Sequence, residues 1–91
     1  RAFRQLLPER AAALEASLAG NDLEQVKTLA HQLRGMAGGF GFPAISEAAG
    51  ELEELIRAKA MLDDVRDRVA RVAELCRVAA AGAGDEERTQ R

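Results

Sequence analysis

Apolar residues return along this chain at intervals of three and four, the spacing that places them on one face of a helix. The first stripe runs Phe3, Leu7, Ala11, Leu14, Leu18. Pro8 falls inside it, and proline is tolerated in a first helical turn but not deep in a helix. The pattern predicts a main helix over about 8–19, after a short helical or irregular lead-in over about 2–7. Gly20-Asn21 closes that helix, and Asn21 or Asp22 is placed to cap the next one.

The second helix is expected over about 22–39. Turning about 100° per residue from His31 brings Val26, Leu29, Leu33, Met36, Ala37 and Phe40 to within about 60° of the opposite direction. Lys27, Thr28, Arg34, Gly35 and Gly38 share the histidine's side. His31 therefore lies on the outer face, with the core behind it. Gly41 reads as a helix stop and Pro43 as the first turn of a third helix over about 43–59. Its stripe is Ile45, Ala48/Ala49, Leu52, Leu55/Ile56. The loop around Lys59–Leu62 is short, which makes helices three and four antiparallel neighbours. Asp63 is expected to cap a fourth helix over about 63–81, with its seam at Val65, Val69, Val72, Cys76 and Ala79. From Ala80 the chain reads AAGAGDEERTQR and the period is lost. The expected fold is all-α: an antiparallel up-down four-helix bundle over 1–81, with 82–91 a flexible tail or linker.

Composition agrees with such a core. Hydrophobic residues make up 47% and aromatics only 3%. A core of many small pieces suits close-packed helices better than a sandwich of β-branched and aromatic residues. Phe3, Met36, Phe40, Met61 and Cys76 are read as packing residues, and the charges of ELEELIRAK and DDVRDR as solvated faces with i,i+4 pairs. The 91 residues suffice for one small domain. The chain begins with Arg, which points to a piece of a longer protein.

The bulk numbers also exclude. Thirteen basic against fifteen acidic residues leave a net charge of −2, with none of the basic excess of a nucleic-acid binder. No apolar run approaches the roughly 20 residues of a membrane span, so no direct membrane contact is expected. The start lacks the order of a signal peptide. One cysteine cannot form an internal disulfide, and one histidine with one cysteine cannot build a zinc site. No metal site and no cofactor are expected, and the composition suits a reducing cytoplasm.

The chemistry gathers in LAHQLRGMAGGFGF, residues 29–42. It holds the only histidine and four of the eight glycines. Glycine inside a helix costs roughly 1 kcal/mol relative to alanine, so these glycines need a reason. A base would need a substrate pocket, and a metal ligand would need companions. A nucleophile toward phosphorus needs less: an unprotonated ring nitrogen, a group fixing the other nitrogen, nearby positive charge and access for the donor. Arg34 and Lys27 lie one turn from His31 on either side, placed to meet a phosphoryl oxygen or a partner carboxylate. Gly35 and Gly38 leave room for a partner's loops. An ordinary surface histidine is the competing reading.

The stretch AHQLRGMAGGFG resembles the signature of histidine-containing phosphotransfer (HPt) domains of phosphorelays. In that family the phosphorylated histidine is followed by a basic residue at the third position, Gly at the fourth, a small residue at the sixth and Gly at the tenth. Here these are His31, Arg34, Gly35, Ala37 and Gly41. An apolar residue followed by Glu or Gln on the next helix is matched by Leu52-Glu53. The resemblance covers about 20–57. It implies that His31 accepts a phosphoryl group through Nε2 from a receiver-domain aspartate and passes it to another receiver domain. It also implies that Glu53 holds Nδ1–H, although a carboxylate there also favours the imidazolium, the poorer nucleophile. A solvent-facing charge is the other reading of Glu53. Magnesium is expected in the partner receiver and not in this chain.

Lys27, Gly35, Gly38 and Phe42 are the expected docking contacts for receiver domains of response regulators or hybrid kinases. Phe42 has the alternative of folding back into the core, and Gly39 has no assigned role. The isolated domain is expected to be a cytoplasmic monomer, either by itself or as part of a membrane-anchored kinase. It would be a phosphoryl carrier without a complete catalytic site. Competing classes are the dimerisation helix of a sensor histidine kinase, the phosphoacceptor domain of a chemotaxis kinase, and a structural helical docking module.

Overall fold

The computed structural model describes residues 3–82. The expected tail, 82–91, lies outside them except for Gly82. Four helices follow one another: α1 Phe3–Ala19, α2 Leu23–Gly39, α3 Pro43–Arg57 and α4 Leu62–Ala80. There is no strand among the described residues. None of these helices is long and apolar enough to cross a membrane. The helices meet in the cyclic order α1, α2, α3, α4, with α2 against α3 and α1 against α4 the most extensive pairings.

The apolar stripes point inward. Leu7, Leu14, Val26, Leu33, Leu52, Val65, Val69, Val72 and Cys76 are fully buried. Between them sit buried alanines, including Ala30 and Ala37 on α2 and Ala48 and Ala49 on α3. Small side chains on both helices let the two backbones approach closely. That closeness later brings a side chain of α3 under a side chain of α2.

Each connection closes in the same way. A residue with positive φ follows the helix: Asn21 at 62°, Gly41 at 85° and Lys59 at 59°. The next amide then donates back five residues, from Asp22 to Ser17 at 2.9 Å, Phe42 to Ala37 at 2.8 Å and Ala60 to Leu55 at 3.0 Å. This is the Schellman closure, which satisfies carbonyls that a helix end leaves unpaired. Asp22 then caps α2 by accepting from the Gln25 amide at 3.1 Å.

Three expectations are corrected. There is no separate lead-in, because α1 is helical from Phe3 and carries Pro8 inside it. Phe3 and Leu7 are both buried, and full burial of such side chains is worth about 1.5–3 kcal/mol each. That is enough to offset one missing amide near the start of a helix. Asp63 does not cap α4; Met61 occupies the cap position, and Asp63 sits in the first turn, where it pairs with Arg66. Phe40 and Met61 are not packing residues, being 63% and 72% exposed. Phe40 follows the last residue of α2, so the helical angle that pointed it inward no longer applies. It stacks on Phe3 instead, with ring centroids 4.9 Å apart.

Pro8 gives the first testable expectation. Its ring is exposed, and it has no N–H to give to the carbonyl one turn back. Pro8→Ala should raise stability by about 1–3 kcal/mol, measured by denaturant unfolding, because proline costs about 3 kcal/mol in a helix interior. An unchanged midpoint would mean that the first turn is already frayed.

Candidate functional site

His31 lies at the middle of α2, one residue beyond the buried Ala30 and two before the buried Leu33. Its own side chain is 66% exposed. Across the α2–α3 seam, Glu53 is the buried exception in a helix face otherwise made of Ile45, Ala48, Ala49 and Leu52. The stripe 45–49–53 advances by four, so Glu53 occupies a core position and not a solvated one. Reading ELEELIRAK as a solvated face is therefore corrected at this residue.

Three donors converge on that carboxylate. His31 Nδ1 is 2.9 Å from Oε2, Arg34 Nη1 donates to Oε1 at 3.1 Å, and Arg57 Nη2 donates to Oε2 at 2.8 Å. Burial pushes the Glu53 carboxyl up. The hydrogen bonds from His31 and Arg34, with the charges of His31 and Arg57, more than offset this and hold it below its ordinary value of 4.5. It is an ionised carboxylate facing two permanent guanidinium charges, so the net charge of that trio is +1. With Nδ1 engaged, the ring presents Nε2 as its second nitrogen, and Nε2 has no hydrogen-bond partner among the described residues.

The other expected residues are placed as follows. Gly35 borders the histidine, and a Cβ built there would meet nothing within 4 Å, so the approach is open. Gly38 serves a different contact. A Cβ there would lie 3.3 Å from Ser46 Oγ, and that hydroxyl donates to the Arg34 carbonyl at 2.8 Å. Gly38 thus packs against Ser46 of α3, about 10 Å along α2 from His31 at 1.5 Å per residue. Lys27 lies 3.6 Å from Glu24. Phe42 is partly buried against the core and tilted onto Phe3, with centroids 5.5 Å apart. The exposed ring at this end belongs to Phe40, so the expectation of Phe42 as an outward docking contact is corrected.

Two residues of the site were not foreseen. Arg57 continues the spacing 45–49–53–57, which would have marked it as a partner for Glu53. Gly50 stands in the middle of α3, where a Cβ would lie 3.3 Å from Arg34 Cδ. Its missing side chain lets the arginine stem lie across α3 on its way to Glu53. No three His, Cys, Asp or Glu side chains among the described residues form a group that could hold a metal ion. Cys76 is buried, and burial pushes its thiol up to about 11, which leaves it unreactive.

A four-helix module that exposes one histidine, fixes one ring nitrogen on a buried carboxylate and leaves the other open defines a class of phosphoryl-carrying domain. The Hpt domain family matches residues 1–82, and the chain belongs to that family. Membership implies phosphotransfer in phosphorelay signalling, and domains of this family interact with receiver domains. No curated protein and no solved structure matches the chain.

Proposed function

We propose that His31 Nε2 takes a phosphoryl group from the aspartyl phosphate of one receiver domain and delivers it to the aspartate of another. The observation that carries this reading is the 2.9 Å contact between His31 Nδ1 and the buried Glu53 carboxylate. It selects the tautomer with the proton on Nδ1 and the lone pair on Nε2. As the N–P bond forms, the acyl O–P bond of the donor breaks and the receiver carboxylate leaves. The ring keeps its Nδ1 proton and gains positive charge, directly against Glu53. A fixed charge aimed at developing charge is what preorganised electrostatic stabilisation requires.

Arg34 and Arg57 are positioning residues here, since they hold Glu53 in place and ionised. Gly35 gives the receiver's loops room beside the ring. The magnesium and the acid–base groups belong to the receiver, so this chain is a carrier. The short connections between side-by-side helices favour an up-down antiparallel bundle, and we take this domain to act as a cytoplasmic monomer.

The test is transfer from a purified receiver domain carrying a labelled aspartyl phosphate. The chain should acquire label that is lost in acid and kept in alkali, and should lose it again to a second receiver. Label from an ATP-dependent kinase but from no phosphorylated receiver would overturn the relay reading and favour the chemotaxis-kinase type.

A further inference from the structure

Arg34 is the cation that the signature places nearest the phosphoryl group, yet it is turned elsewhere. Its Nη1 is held by Glu53, and its stem lies against Gly50. It faces a groove that it shares with Ser46, Glu47, Gly50 and Glu51 on α3. On the opposite flank of the ring is a separate concavity of about 270 Å³, lined by Lys27, Thr28, His31, Gln32, Glu53 and Arg57. Arg34 is not among its walls. Long helical side chains lean toward the N-terminus and cover the preceding turn, which for His31 is the turn of Lys27 and Thr28.

Resting on the relay reading above, we propose that this concavity is the seat of the phosphoryl group on His31 Nε2, with the Lys27 ammonium, the Thr28 hydroxyl and a free N–H of Arg57 as its donors. Each donor is available. Lys27 has only a 3.6 Å pairing with the exposed Glu24, which is readily exchanged. The Thr28 hydroxyl donates to the Glu24 carbonyl at 3.1 Å and can rotate away. Arg57 spends one N–H on Glu53 and has five in all. The charges also match. Lys27 and Arg57 bring two positive charges to a phosphoryl dianion, while Arg34 remains to balance Glu53. The neutral Gln32 on the same rim is held by Arg10 at 3.2 Å.

Phosphoramidate serves as a donor that needs no partner protein. Its N–P bond breaks, ammonia leaves, and the bond to Nε2 forms. After the donor is removed, ³¹P NMR follows the last ionisation of the phosphoryl group on His31. Cations in contact with the dianion lower that titration relative to the unfolded phosphorylated chain. Lys27→Met and Arg57→Met should each move it back by about half a pH unit, and together should remove most of the difference. Arg57→Lys should keep most of it, and Thr28→Val should have a smaller effect. Arg34→Met should move it less than either cation of the seat, and Arg66→Met on α4 should not move it. The helical circular dichroism of each variant guards against unfolding. A titration insensitive to Lys27 and Arg57, or more sensitive to Arg34, overturns the seat and leaves the relay reading standing. Failure of His31 to take any label overturns both.

Discussion

Replacing His31 by Gln is expected to abolish phosphoryl acceptance completely while leaving the helices in place. The amide of Gln can donate to Glu53 Oε2, so the buried carboxylate keeps a partner. Its nitrogen lone pair is delocalised into the carbonyl and cannot attack phosphorus. Little packing is lost, because the histidine side chain is 66% exposed. Stability should stay within about 0.5 kcal/mol, as for most surface substitutions. Acid-labile, alkali-stable label is the readout, counted against the unmodified chain under the same phosphorylated receiver. Retained label would mean that the nucleophile is elsewhere. Cys76 offers no substitute, since its thiol is buried and burial pushes it up to about 11.

The helices were legible because their stripes are regular. The α4 seam of Val65, Val69, Val72, Cys76 and Ala79 is buried throughout. So was the outer placement of His31, which follows from the angle it makes with Val26, Leu29 and Leu33. What periodicity could not show was where tertiary contacts override local preference. Burial of Phe3 and Leu7 carries α1 through Pro8, and proline alone reads as a boundary. Of the positive-φ residues in the three connections, Gly41 and Asn21 are of types that favour the conformation. Lys59 adopts it where α3 ends, and lysine carries no such signal.

The site divides along the same line. Residues adjacent in sequence to His31 were readable from α2 alone. Arg57 and Gly50 were not, because their roles exist only where α3 lies against α2. Glu53 is the instructive case: a charged residue on the 45–49–53 core spacing is either a misread helix face or a functional group. Its three hydrogen-bond partners favour the second reading, and Arg57 at i+4 was the one sequence signal that pointed the same way in advance.

Glu53 also gives the second large expected effect, and the choice of replacement separates its two roles. Glu53→Gln keeps an oxygen for Nδ1–H but removes the charge, and should slow transfer about 10-fold, the scale of one to two kcal/mol of transition-state stabilisation. Glu53→Leu removes both. Leucine fits the apolar stripe, and removing one member of an ion pair is costly only where it strands the other charge away from water. Arg34 and Arg57 are about half exposed, at 52% and 54%, so water can take them when the carboxylate is gone. Glu53→Leu should therefore transfer about 100-fold more slowly at equal or higher stability. The acid limb of unfolding should change with it. The folded Glu53 carboxyl lies below its ordinary 4.5, so its contribution is present above that value and is lost as pH falls through the lower folded value. The leucine variant should lack that part of the acid-induced loss. A core position that is more stable with leucine, and slower with it, holds a carboxylate for the histidine and not for the fold. Transfer by Glu53→Leu at the unmodified rate would reduce the 2.9 Å contact to a packing detail.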